Sequence, residues 1–292
     1  MKTTEFKDWR EVQKIVRWAL EEDIGTGDIT CQWTVGERLR AEAVILVKQS
    51  GVVAGLDVAR LVFKTVDKNI QFFPQLTDGS RVNPADVLAV VSGPVRGILT
   101  AERTALNFLG RMSGMATLTA KFGEAIGGTG AKVTDTRKTT PGNRILDKYA
   151  VRIGGGVNHR FGLYDMVLIK ENHLKATGSI TEAVRRSREA LPRFSRQGTK
   201  IEVETRTLNE VKEACSLPVD RIMLDNMGLE QIGEAVETVR DQKLEVEIEV
   251  SGNITLENIR QIAQTGVDFI SIGRLTHSAP ALDISLLVEK IE

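Results

Sequence analysis

The chain has 292 residues, enough for one large or two modest domains, and its 41% hydrophobic and 27% charged content is ordinary for a globular protein. Lysine plus arginine equals aspartate plus glutamate at 39 each, so no global field attracts nucleic acid or an anionic membrane, and any cationic site has to be local. The opening MKTTEFKDWREV has no apolar signal core and no run approaches the roughly 18 apolar residues of a membrane span, which makes a cytoplasmic protein the expectation.

In chain order, Asp8 to Glu22 places Val12, Ile15, Val16, Ala19 and Leu20 on one face, which predicts an amphipathic helix packed on a core. The GTGDIT segment, Gly25 to Thr30, has turn composition and is suited to cap the next element. Ala41 to Gly55 reads as two strands interrupted at Gln49 to Gly51. Asp78, Gly79, Asn83 and Pro84 mark turns, and VLAVVSGPVRGIL from Val87 is strand-like. The first part of the chain is therefore an α+β unit. Thr100 is placed as the cap of a long helix whose apolar positions run through Leu106, Leu109, Met112, Ala116 and Phe122 to Ile126, stopped by Gly127, Gly128 and Gly130. Cys31 and Cys215 have no CxxC partner and no nearby histidine, and read as buried structural thiols.

From Lys132 the rhythm changes. Six short β-branched runs end in polar residues: KVTD (Lys132 to Asp135), MVLIK (Met166 to Lys170), IEVE (Ile201 to Glu204), IMLD (Ile222 to Asp225), VEIEV (Val246 to Val250) and FISIG (Phe269 to Gly273). Helical periodicity fills most of the gaps, as in Leu208, Val211 and Ala214, so the repeat is strand then helix with parallel strands. Parallel strands share one carboxyl-terminal edge, where functional groups gather. The polar endings there are Arg137, Lys138, Lys170, Glu204, Asp225, Ser251 and Gly273. After the last strand, Leu282, Ile284, Leu286 and Val288 alternate like an edge strand returning to the first unit.

The segment from Asp135 to His173 carries Arg137, Lys138, Arg144, Lys148, Arg152, Arg160 and Lys170 with two of the three histidines. Arg137, Lys138 and Lys170 end strands and so face a barrel mouth, where several desolvated cations imply a polyanionic ligand. Glu204 and Asp225 project carboxylates into the same mouth and suit a magnesium ion or the hydroxyls of a sugar. Glu202, in the same strand as Glu204, is assigned to the opposite face. Ser251–Asn253 and Ser271–Gly273 come after the last two strands, where backbone N–H groups commonly hold a phosphate. The triple Gly154 to Gly156 reads as a flexible turn without a ligand. Together these features fit a sugar phosphate bearing pyrophosphate, plus a second anionic substrate.

At these residues the chain closely resembles the quinolinate phosphoribosyltransferase family. The match runs through TGDIT, AERTALNFLGRMSGMAT, DTRKTTPG, KYAVRIGGGVNHR, DMVLIKENH, EVE, LDN, SGN, SIG and the terminal ALDISL, which covers nearly the whole sequence. The resemblance implies an N-terminal α+β sandwich domain followed by an open, incomplete parallel α/β barrel, and six strands rather than the eight of a closed barrel agree with this. It divides the chain into 1–110, completed by 276–292, and a barrel over 111–275 that carries the active site. The implied reaction joins phosphoribosyl pyrophosphate and quinolinate, with Mg²⁺ and no organic cofactor, to give nicotinate mononucleotide, pyrophosphate and CO₂ in NAD biosynthesis. It implies Lys138, Lys170, Glu204 and Asp225 as the catalytic set. Arg137, Lys138, His159 and Arg160 would surround the carboxylates of quinolinate, with Thr136 beside them. Lys170, Glu204 and Asp225 would meet phosphoribosyl pyrophosphate and its magnesium. Ser251, Gly252, Asn253, Ser271, Ile272 and Gly273 would hold the 5′-phosphate; position 253, often glycine in that family, is asparagine here. Arg103 would reach the site of a second copy in a dimer. Two rival readings remain: a Schiff-base lyase using Lys170 or Lys138, to which the arginines and paired acids are surplus, and a non-catalytic anion-binding paralogue of the kind associated with molybdenum uptake.

Overall fold

Asp8 accepts a hydrogen bond from Arg10 N and starts helix α1 (Trp9–Ile24), whose buried Val12, Ile15, Val16 and Leu20 form the stripe expected from the sequence. A side-chain cap of this kind stabilises a helix by about 1 kcal/mol and each buried aliphatic by about 1.5–3 kcal/mol, so packing of the stripe, not the cap, holds α1 in place. The computed structural model describes residues 6, 8–194, 198–242 and 245–292. The chain divides into two compact units, one of residues up to Ala120 with Thr139–Gly155 and Arg274–Glu292, the other of Lys121–Lys138 and Gly156–Gly273.

In the first unit Asp28, within GTGDIT, caps α2 (Ile29–Thr34) through Cys31 N, and the chain continues as β1 (Arg40–Val47), β2 (Gly51–Val52), α3 (Leu56–Val66), β3 (Gln71–Pro74), β4 (Arg81–Val82) and β5 (Val87–Pro94). The strand-like VLAVVSGPVRGIL therefore splits at Pro94, and α4 (Val95–Ala125) begins at once. Thr100, read as the cap of this helix, lies inside it, and its hydroxyl donates to Asp28 Oδ2 at 2.9 Å. The antiparallel sheet has the order β12-β1-β5-β3, in which β12 (Ile284–Ile291) pairs with β1, Ile45 opposite Leu286.

Helix α5 (Arg144–Ile153) belongs to this unit and ends at Gly154, where a Cβ would collide with the Ala116 carbonyl and the Thr119 side chain of α4. Gly154 is thus a close-packing position; of the triple, Gly155 takes the left-handed conformation at φ +88°. Ahead of α5, Arg111 Nη2 bonds Thr140 Oγ1 (2.7 Å), the Asp147 carboxylate (3.2 Å) and Thr276 O (3.3 Å), which ties the TTPG turn to α4. Burial pushes the Asp147 carboxyl up, opposed by the Arg111 charge beside it.

The second unit contains β6 (Lys132–Thr134), β7 (Val167–Ile169), α6 (Glu171–Thr177), α7 (Ile180–Phe194), β8 (Ile201–Thr205), α8 (Leu208–Cys215), β9 (Arg221–Asp225), α9 (Leu229–Asp241), β10 (Glu247–Ser251), α10 (Ile259–Gln264) and β11 (Phe269–Ser271); the short α11 (Arg274–His277) comes next, in the first unit. The six strands form one parallel sheet in the order β6-β11-β10-β9-β8-β7. Its edges are β6 and β7, so the barrel is open, and each predicted strand is present to within two residues. The register sets layers of side chains on one face: Glu202, Arg221 and Glu247; then Glu204, Met223, Glu249 and Phe269; then Asp225, Ser251, Ser271 and Thr134 at the carboxyl-terminal edge. Barrel interiors are normally filled with branched apolar residues, so this charged filling needs a reason.

Candidate active site

Strands β7 and β8 lie side by side, Ile169 opposite Val203, and the residue that follows each of these two meets the other: Lys170 Nζ lies 2.7 Å from Glu204 Oε2. Asp225 closes β9 on the neighbouring strand. Between the two acids stands Arg206, with Nη2 3.7 Å from Glu204 Oε1, Nε 3.5 Å from Asp225 Oδ2, and Nη1 paired to Glu171. Sequence reasoning did not single out Arg206. Its signal is its place directly after the IEVET strand, which puts it on the barrel mouth.

Strand pairing also brings the two glycine-containing turns together, since Ser251 lies opposite both Asp225 and Ser271. Gly252 has φ +97°, and a Cβ there would strike the Asn226 carboxamide. Asn253 (φ +52°) and Asn226 (φ +56°) are also left-handed, and Asn253 Nδ2 donates to Asn226 Oδ1 at 3.2 Å. Asparagine tolerates this conformation better than other non-glycine side chains, which suits Asn253 and Asn226 to their turns. In the last turn Ser271 is buried and Ile272 N donates to Thr134 O at 2.9 Å, which ties this turn to the end of β6.

After β6, Thr136 Oγ1 accepts from Lys138 N at 3.0 Å, and Arg137 and Lys138 are exposed. Arg160 Nη1 donates to Met166 O at 3.2 Å. Burial, and then the like charge of Arg137, hold the Arg160 guanidinium below its ordinary range, and the segments that carry the two arginines are bridged at Thr134 and Val157. Such a pair is poised for an anion with more than one charge. Arg103 lies in the first unit, exposed on α4.

Glu202 does not face away from this site. Residues two apart on a strand share a face, so Glu202 sits one layer beneath Glu204, fully buried. His159 Nε2 lies 3.0 Å from Glu202 Oε2 and 3.4 Å from Glu249 Oε2, contacts between ionisable groups that fall short of well-aligned hydrogen bonds. Arg221 binds Glu249 at 2.7 Å and Glu247 at 2.9 Å, with its guanidinium carbon 4.0 Å from the Phe269 ring centroid. Burial alone would lower the His159 imidazole, but Glu202 and Glu249 outweigh it and push it up to about 9. Burial, then Glu249, pushes the Glu202 carboxyl up; Glu249 is held down against its own burial by His159 and Arg221. The legible signal was glutamate at alternate positions of two apolar strands, Glu202 and Glu204, Glu247 and Glu249.

Comparison with known proteins bears on this arrangement throughout its length. The model of the quinolinate phosphoribosyl transferase N-terminal domain matches residues 28–113 and that of the C-terminal domain residues 115–287. The chain belongs to the quinolinate phosphoribosyltransferase family. It is 43% identical over 295 aligned positions to the carboxylating nicotinate-nucleotide pyrophosphorylase of Arabidopsis thaliana, covering 96% of this chain and 83% of that one. It is 41% identical to a decarboxylating quinolinate phosphoribosyltransferase of Nicotiana glauca with the same coverage. The solved nicotinate-nucleotide pyrophosphorylase of Francisella tularensis superimposes with a TM-score of 0.91 at 41% identity, covering 99% of this chain and 100% of that one.

For a quinolinate phosphoribosyltransferase, the fit of magnesium can be tested on the donor set. Glu204 and Asp225 are the acids of the mouth, and each already faces a cation, Lys170 or Arg206. Two partly neutralised carboxylates suit an ion that arrives on phosphate oxygens and keeps several waters, which is the habit of Mg²⁺. Among the described residues, the one group of three metal-capable side chains within reach of each other is His159, Glu202 and Glu249, and the Arg221 guanidinium bonded to Glu249 makes that cluster a poor cation site.

Proposed function

We propose that this chain transfers the phosphoribosyl group of phosphoribosyl pyrophosphate to quinolinate with decarboxylation, giving nicotinate mononucleotide, pyrophosphate and CO₂. The observation that carries the reading is the convergence, on one barrel edge, of the bridged segments that carry Arg137 and Arg160 with the Lys170–Glu204 ion pair, Asp225 and two glycine turns. Arg137, Lys138 and Arg160 bind the two carboxylates of quinolinate, with Thr136 shaping their loop. The turns at Ser251–Asn253 and Ser271–Gly273 hold the 5′-phosphate. Lys170, Glu204 and Asp225 orient the ribose and its pyrophosphate, and Glu204 and Asp225 hold Mg²⁺ through water or substrate oxygens. When bound, that ion neutralises charge growing on the leaving group.

The residues need to do little covalent chemistry. The bond from ribose C1 to pyrophosphate breaks as the pyridine nitrogen attacks, and fixing both substrates in line supplies much of the acceleration. Lys170 faces the developing negative charge. Once ribosylated, the pyridine nitrogen is cationic. The bond from C2 to its carboxylate then breaks, the electron pair stays on C2 beside that nitrogen, CO₂ leaves and C2 takes up a proton. Clamping both carboxylates holds the ring while this occurs. Lys170 Nζ is engaged by Glu204, which weighs against a Schiff-base lyase. A cytoplasmic location, and a second copy of the chain whose site receives Arg103, belong to the same proposal.

The test is mass spectrometry of a reaction containing the protein, Mg²⁺, phosphoribosyl pyrophosphate and quinolinate, with nicotinate in a parallel tube. Nicotinate mononucleotide is expected from quinolinate alone. Product from neither would move the function to an anion-binding paralogue.

A further inference from the structure

We infer that Glu202, Glu249 and Arg221 are positioning residues that set the carboxylate-binding arginines through His159, and that His159 anchors the site without bonding substrate. The inference rests on the reaction proposed above and concerns residues outside the set that meets substrate. The segment just before the loop that leads to β7 is tied to β6. Val157 forms a single bridge to Thr134, and Val157 N donates to Val133 O at 2.9 Å. The buried Asp135 carboxylate accepts from Asn158 Nδ2 (2.5 Å) and His159 N (3.0 Å). The His159 side chain, only 5% exposed, then passes into the barrel interior between Glu202 and Glu249.

Both ring nitrogens are used within the chain. Nε2 faces the two carboxylates, and Nδ1 accepts from Arg160 N at 2.7 Å. His159 thereby fixes the backbone of the next residue, and Arg160 is held at its other end by Met166 O. The cluster thus holds Arg160 through its backbone from beneath. Below it, Arg221 joins Glu249 to Glu247, and Glu247 reaches the partly exposed Lys200 at 2.7 Å, so a continuous line of ion pairs runs down the interior. Apolar residues would fill these layers at less desolvation cost, and stability alone is a weak reason for a buried ion network. A network whose top member orients a substrate-binding cation has a functional reason, because a site held by locked supporting residues keeps its geometry.

The test uses Glu202→Gln and Glu249→Gln, which keep side-chain shape, in the full-length protein with folding checked by circular dichroism. The expected result is a KM for quinolinate raised about tenfold or more, with the KM for phosphoribosyl pyrophosphate within about threefold of the parent. A merely structural role would move both together, and equal changes in the two constants overturn the inference. Nitrogen-15 NMR of the unsubstituted protein, which has three histidines, is the second arm and does not depend on variants folding. Addition of quinolinate is expected to leave the protonation pattern of the His159 ring unchanged; a ring nitrogen that gains or loses a proton on binding also overturns it. Failure of the unsubstituted protein to bind quinolinate by calorimetry overturns the proposed reaction itself. Binding that persists undiminished in both glutamine variants overturns only the positioning role.

Discussion

Lys170 and Glu204 form an ion pair across the ends of β7 and β8, Nζ to Oε2 2.7 Å, with the lysine side chain 45% exposed and the glutamate 8%. An ion pair with one partner this exposed contributes about 0.2–1 kcal/mol to stability. Arg206 also remains within 3.7 Å of Glu204 if the lysine is removed. Removing a group aimed at developing charge, by contrast, typically costs about 10²-fold in rate. Lys170→Ala should therefore leave the urea midpoint nearly unchanged and lower kcat/KM by about two orders of magnitude or more. Activity close to that of the parent would remove Lys170 from the reaction.

Arg137 is exposed after β6, close enough to Arg160 for their charges to oppose each other. A hydrogen bond to a charged group is worth at least ~1.5 kcal/mol, so Arg137→Ala should weaken quinolinate binding by that amount or more. Relief of repulsion on Arg160 offsets part of the loss, which makes the lower end the relevant figure. Calorimetry reads it directly, and unchanged affinity would take Arg137 out of the carboxylate site.

Arg103 and Lys170 lie in different units of the chain, the first on α4 and the second after β7. If Arg103 serves the site of a second copy, chains carrying Arg103→Ala and chains carrying Lys170→Ala should each be inactive alone. Mixed, they should regain part of the activity, because a mixed pair contains one site with both residues. Kinetics before and after subunit exchange provide the readout. No recovery after exchange has been demonstrated by native mass spectrometry would contradict a shared site.

The barrel is legible in the sequence because its strands are short β-branched runs with polar ends, a local signal that burial on both faces preserves. The pairing of those ends is also implicit: once IEVE and MVLIK are neighbours, Lys170 and Glu204 have to meet. Layers within the barrel are harder to read. Glu202 reads as outward when its neighbour Glu204 already fills the role of mouth acid, although the strand period of two places both on one face. Arg206 is lost among surface charges, since nothing local separates an arginine that bridges two strand-end acids from one in solvent. Thr100 has the composition of a cap, but Pro94 ends β5 and lets α4 begin at Val95. Gly154 reads as part of a flexible turn because its neighbour Ala116 is distant in sequence.

The His159 cluster predicts a pH dependence of stability with a definite sign. The imidazole is pushed up to about 9 from an ordinary value of 6.5 and the Glu202 carboxyl is pushed up with it, so the folded cluster holds a proton more tightly than the unfolded chain does; because Nδ1 accepts from Arg160 N, that proton rests on the Nε2–Glu202 side. Stability then falls with pH wherever the folded state binds more protons. The contribution is fully present below about pH 6.5 and is lost as the pH rises through about 9. The raised Glu202 carboxyl acts in the same direction, whereas the lowered Glu249 carboxyl titrates on the acid side of this window. Cys31, pushed up to about 11 from 9.0 mainly by burial, weakens the fold only above pH 9.0. Thermal unfolding between pH 6.5 and 9 should therefore show a falling melting temperature, and His159→Gln should flatten that slope even if it lowers stability throughout. Parallel slopes for the two proteins would mean that the His159 cluster does not hold this proton.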